Sequence, residues 1–218
     1  MPRKNTSKRL KMDFHIIAIL GISGKDSKSV YSKDSTLNLP LKDGAFHNST
    51  HCLIESFGEN ATYTFIGTSE SIKYQNDIFD TLPPCKAIFE KFSPQILPQN
   101  DELKDIFHKI LMAIKLCCAN HIIIDITHGF RHQPIIASFA STLATQIYDK
   151  KRITLIFAKA QSDCTYQYMS LEQYLRLSII AMSLQNFVKT LSMPKNHANE
   201  PFMVSLYTLF KRTSRKCV

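Results

Sequence analysis

His121-Ile-Ile-Ile-Asp125-Ile-Thr-His-Gly-Phe-Arg131-His-Gln-Pro134 is the stretch on which the reading of this chain turns. Four of its first six residues are isoleucines, the mark of a strand buried on both faces. Thr127, His128 and Gly129 then break the run, and from Pro134 to Tyr148 the pattern predicts a helix. A carboxylate, a hydroxyl, an imidazole, a glycine and a guanidinium thus sit on one strand-to-helix loop. In a parallel α/β sheet such loops face the ligand crevice at the carboxyl ends of the strands. Gly129 admits a close backbone approach, Thr127 is placed to cap the helix while donating to an oxygen, and Arg131 to grip a phosphate with two donors. His128 can bond a base, a ribose hydroxyl or a phosphate, or act as a general base if a partner is near. The same residues also have plain structural roles open to them: Thr127 as a cap only, Gly129 as a turn only, Asp125 bonded to nearby backbone and paired with Arg131. A metal held by Asp125, His128 and His132 matches no familiar ligand spacing, and no metal or cofactor is expected.

Outward from this loop, strand and helix patterns alternate. Phe14 to Leu20 reads as a first strand opening into Gly21-Ile-Ser23-Gly24, and residues 25–48 as polar and turn-rich. Thr50 to Phe57 reads as a short helix, Ala61 to Thr68 as a strand and its turn, and Ser69 to Phe79 as a helix with a capping-type start. Leu82-Pro-Pro-Cys85 reads as a breaker, 86–97 as a strand, and Leu103, Ile106, Phe107, Ile110, Leu111 and Ile114 as the apolar stripe of a helix. Ile153 to Ala158 completes the strands, and a helix over about 171–191 the helices. The predicted fold is α/β, a parallel sheet flanked by helices. Gly21 with Ser23, and Gly67 with Thr68, are two further strand-end turns carrying glycine and hydroxyls. With Thr127 they suit a phosphate or nucleotide better than an acyl-transfer centre, for which no GxSxG elbow exists.

With 218 residues, 44% of them hydrophobic and 21% charged, the chain is long enough to bury one proper core. Nine of its 27 bases lie in residues 1–12 and 211–218, which hold no acid, so the rest carries 18 bases against 18 acids. A neutral body with basic tails argues against a duplex-wrapping surface. The tails read as solubilising or as a dressing for RNA or another acidic ligand. Cys52, Cys85, Cys117, Cys118, Cys164 and Cys217 show no CxxC pair, which speaks against a disulfide scaffold or zinc ribbon. The basic start followed by Phe14–Ile22 imitates a signal peptide, but Asp13 interrupts it and no cleavage site follows, so a cytoplasmic protein without membrane contact is expected.

Asp125-Ile-Thr-His-Gly-Phe-Arg131-His-Gln-Pro134 resembles the signature of the DxTHG family of CRISPR-associated proteins, whose CARF domain has a Rossmann-like fold. Gly21-Ile-Ser23, Phe65-Ile-Gly-Thr68 and Ile96 to Phe107 fall in line with that family's other segments, so the resemblance spans about residues 13–191. It implies a homodimer that binds a cyclic oligoadenylate, of four or six units, the second messenger of type III antiviral defence. The implied ligand contacts are Gly21, Ser23, Thr68, Thr127, His128, Gly129 and Arg131. Pro98-Gln-Asn100, without the family's glycine, and His132-Gln133 depart from its pattern. Three functions stay open: a binding module acting as sensor, a metal-independent ring nuclease resting on Ser23, His128 and Arg131, and an unrelated nucleotide- or RNA-binding α/β protein. Many relatives continue into a ribonuclease domain with an Arg-x(4–6)-His pair. Here the formal match is Arg9 to His15, at the edge of a strand. On this reading residues 1–12 are a basic tail, 13–191 the CARF domain, and 192–218 a short extension left from a shortened effector domain.

Overall fold

The computed structural model describes residues 14–22, 27–97, 103–129, 132–148 and 150–190. Strand β1 (Phe14–Ile19) lies at the centre of an eight-stranded sheet. The others are β2 (Ser29–Lys33), β3 (Gly44–Phe46), β4 (Ala61–Gly67), β5 (Gln95–Ile96), β6 (His121–Asp125), β7 (Arg152–Ser162) and β8 (Thr165–Ser170). Their order is β3-β2-β8-β7-β6-β1-β4-β5. Five neighbouring pairs run parallel, while β2 with β3 and β7 with β8 are antiparallel.

Helices α1 (Ser49–Phe57), α2 (Ser69–Phe79), α3 (Pro83–Lys91), α4 (Leu103–Leu116) and α5 (His132–Ile147) connect the strands. Successive side chains of a strand point to opposite faces, and β1 shows both faces covered. Ile16, Ala18 and Leu20 join one core cluster with Cys52, Leu53 and Phe57 of α1, Phe79 of α2 and Phe89 of α3. Ile17 and Ile19 are equally buried but outside that cluster, on the side of Ile106, Ile110 and Ile114, the fully buried stripe of α4. That stripe repeats every four residues, as the sequence predicts. The chain divides into two compact units, Met1–Glu172 and Gln173–Val218. Helix α6 (Glu172–Thr190) accounts for the described part of the second. No described helix is long and apolar enough to cross a membrane.

Three expectations give way. The polar stretch 25–48 contains β2 and β3, and the residues after Ala158 extend β7 and return as β8. The breaker at Pro83-Pro84 starts a helix, α3, where a strand was expected over 86–97, of which only Gln95–Ile96 is one. Proline at the first helical positions loses no hydrogen bond there and presets φ, so the pair that ends α2 also opens α3. The sheet is therefore mixed, parallel at its centre with antiparallel additions on one side. The basic tail 1–12 and the segment 192–218 lie outside the described residues.

Candidate functional site

The chain leaves β1 through α1 to β4 on one side and later places β6 on the other, so the crevice of the sheet opens where β4, β1 and β6 end together. Their turns touch. A Cβ on Gly21 would sit 2.8 Å from the Gly129 amide nitrogen and 3.0 Å from His128 Cβ; one on Gly67 would meet Leu20 Cβ at 2.8 Å and clash with Ser71 Oγ. A glycine at each place is thus required by close approach. Thr68 follows Gly67 as the N-cap of α2, its Oγ1 accepting from the Ser71 amide at 3.2 Å.

Asp125 ends β6 fully buried. Its Oδ1 accepts from the Thr127 amide at 3.0 Å and from Thr127 Oγ1 at 2.5 Å, and the same hydroxyl accepts from the Ala158 amide of β7 at 2.9 Å. The Thr127 hydroxyl is therefore spent on locking the loop to the sheet. It does not cap α5, which begins at His132. Asp125 takes the structural role the sequence left open, bonded to nearby backbone, and its Oδ2 has no hydrogen-bond partner among the described residues.

His128 is half-buried, and its Nε2 accepts from the Ser49 amide at the start of α1 across 3.4 Å. That acceptor role puts the proton of the neutral ring on Nδ1. Burial holds its pKa below the ordinary value against the opposing pull of Asp125, so the ring is neutral at pH 7. A Cβ on Gly129 would press on Gln133 Oε1 and Ile19 Cγ2 at 2.9 and 3.0 Å.

Thr127 and His128 form the wall between two clefts. The smaller, about 230 Å³, is lined by Gly21, Ile22, Thr68, Ser71 and Gly129 as well. The larger, about 440 Å³, runs under β2, β7 and β8 and is lined in part by Ser27, Ser29, Tyr31, His47, Phe157 and Tyr166. Tyr31 and Tyr166 stack with ring centres 5.1 Å apart and planes 14° from parallel. Beneath them Tyr168 donates to the Ser49 carbonyl at 3.2 Å. Burial, assisted by Asp125, raises the pKa of Tyr31 and of Tyr168, so both phenols stay protonated. Burial and Lys28 lower that of His47. Among the described residues, neither lining contains a carboxylate. Such walls offer neutral donors, acceptors and aromatic faces, which suits an anionic ligand with planar rings better than a cation.

Of the residues singled out in the sequence, Gly21, Thr68, Thr127, His128 and Gly129 come together around the smaller cleft. Ser23 and Arg131 lie outside the described residues. So does Arg9, and its formal partner His15 is a core histidine: it is buried in β1, with its two ring nitrogens at 2.7 Å from Thr62 Oγ1 and 3.1 Å from Thr64 Oγ1. Among the described residues, Asp125, His128 and His132 do not gather their ligand atoms closely enough to share a metal. Tyr31, His47, Ser49 and Tyr166 were missed. They stand on β2, on β8 and at the start of α1, and no motif marks them.

Residues 16–162, two thirds of the chain, match the family described as CRISPR system endoribonuclease Csx1, CARF domain. No curated protein matches the chain.

Proposed function

Because the chain belongs to the Csx1 CARF-domain family, we propose that it is a sensor of type III CRISPR defence that binds a cyclic oligoadenylate at the crevice where β4, β1 and β6 end. In this reading two copies of the chain present their crevices to one ring. The observation that carries it is the gathering of three strand-end turns around the smaller cleft, with His128 lining both that cleft and its neighbour. One cleft is bounded by glycines, a helix N-cap and backbone amides, the surroundings that accept phosphate. Its neighbour is bounded by tyrosine and histidine faces, the surroundings that accept a base. A cyclic oligoadenylate alternates these two chemistries. The Thr127 hydroxyl, engaged by Asp125 and the Ala158 amide, is a poor donor to it, so contact there falls to backbone and to His128. Ser23 and Arg131 remain assigned as ligand contacts by motif alone.

The test is a calorimetric titration with cyclic tetra-adenylate and cyclic hexa-adenylate in chelator, with the mixtures then resolved by chromatography and mass detection. Tight retention of one intact ring, at one ring per two chains, supports the sensor. His128→Ala is expected to weaken binding by tenfold or more, since it removes a buried polar contact of about 1.5 kcal/mol or more. Linear products ending in a 2′,3′-cyclic phosphate identify a ring nuclease, and no binding of either ring overturns the proposal.

A further inference from the structure

The sequence spacing of histidines and cysteines shows no metal pattern, yet among the described residues the fold assembles one group of donors, on α1 and α3 and outside the loop motif. His51 and Glu55 stand one turn apart on α1, and Cys85 is the third residue of α3. One imidazole nitrogen, one carboxylate oxygen and the thiol sulfur lie within 4.8 Å of one another. Cys85 Sγ is 3.5 Å from Glu55 Oε1. A tetrahedral zinc ion with a sulfur at about 2.3 Å and an oxygen at about 2.0–2.2 Å holds those two ligands about 3.5 Å apart. His51 and Cys85 are buried, at 4% and 1% exposure, and Glu55 is half-exposed, its Oε2 3.8 Å from the exposed Lys42 ammonium, which an entering ion and its water ligand would displace toward solvent. The His51 ring is fixed by Phe46 and Phe79, each packed edge-on at 5.3 and 6.3 Å, and by His47, stacked at 5.6 Å.

We propose that His51, Glu55 and Cys85 bind one zinc-class divalent ion, completed by water, as a clip between α1 and α3. The mixed nitrogen, oxygen and sulfur set selects zinc over calcium or magnesium, which take oxygen ligands alone. Binding releases the Cys85 thiol proton to solvent. It also draws a lone pair from a ring whose Nδ1 accepts from the His47 amide at 3.2 Å in the free protein, at the expense of that long hydrogen bond. No electron is transferred. The clip fixes α1, whose first residue meets His128 and whose neighbour His47 lines the larger cleft. The site does not depend on what the crevice binds.

Cobalt(II) is the probe, because a thiolate ligand gives it a near-ultraviolet charge-transfer band and a tetrahedral site gives it strong visible bands. The full chain, stripped with chelator, is expected to develop both at one equivalent and to lose them to equimolar zinc. Cys85→Ser should abolish the charge-transfer band. Glu55→Gln, half-exposed and of the same size, should weaken affinity by more than the ~10–100-fold that loss of an outer-shell partner costs, with circular dichroism unchanged. Cys118→Ser, at an exposed thiol, should change nothing. Absence of the bands, or bands that survive both Cys85→Ser and Glu55→Gln, overturns the proposal.

Discussion

Replacing Gly21 by alanine adds one methyl group at the point where the turns after β1 and β6 meet. The new Cβ would lie 2.8 Å from the Gly129 nitrogen, 3.0 Å from His128 Cβ and 3.1 Å from the His128 carbonyl carbon. Two of these three are backbone atoms of the facing loop, held by the Asp125–Thr127–Ala158 lock, and cannot swing aside as a side-chain tip would. Relief requires the loops to part by several tenths of an ångström. Forcing a methyl into such packing costs about 1–3 kcal/mol. Because the strain lands on residues 128 and 129, affinity for the crevice ligand should fall with stability, by about tenfold for each 1.4 kcal/mol that shifts the loop out of its binding geometry. Gly58→Ala is the control. Nothing lies within 4 Å of its Cβ, but its φ is +51°, so alanine there should lower stability through backbone strain without changing affinity. The readouts are thermal unfolding, ligand titration and the NMR resonances of the His128 ring. A Gly21→Ala protein of unchanged melting temperature with an undisturbed His128 ring would refute the reasoning, whatever the ligand proves to be.

Acid should weaken the fold through His15, whose burial, with the Lys151 charge, lowers its pKa from 6.5 to about 4. The folded state favours the neutral ring, so this contribution is complete above pH 6.5 and is lost as pH falls from 6.5 to 4, about 3 kcal/mol in all. The difference in urea stability between the natural chain and His15→Gln, followed from pH 7.5 to 4.5, isolates it; a difference that does not vary with pH counts against it. Thr127→Val keeps the shape but strips Asp125 of a donor and leaves the buried Ala158 amide without its acceptor, for a loss of roughly 2–3 kcal/mol in urea unfolding. Thr127→Ser should restore most of it.

How far the sequence carries is set by where each element takes its stability. The three-isoleucine run of β6, the apolar β1 and the stripe of α4 are buried outright, and burial of that kind writes itself into composition and period. Strand β2 alternates two buried residues with an exposed valine and closes on a lysine, its neighbour β3 is only three residues long, and β8 carries threonine, glutamine and serine. These strands form because partners are present to pair with, Val30 with Thr165 and Tyr31 with Tyr166, and long-range register leaves no local mark.

That difference also explains the division within the crevice. The glycines and the Thr127-His128 pair lie on turns after central strands and could be named from the chain alone. The aromatic wall of the larger cleft comes from β2 and β8, so it was invisible until the sheet order was known. The same holds, more strongly, for His51, Glu55 and Cys85. The first two are spaced like any helical pair, and the third is brought to them only because a proline pair read as a break instead starts α3 against α1. Motif reading reaches the residues that a loop gathers by itself; it does not reach those that packing gathers. In this chain the first kind approaches one rim of the crevice, while the second supplies both the opposite rim and the donors behind α1. A variant series confined to the DITHGFR stretch would therefore sample only one side of the site, and Tyr31→Leu and Tyr166→Leu belong in it from the start.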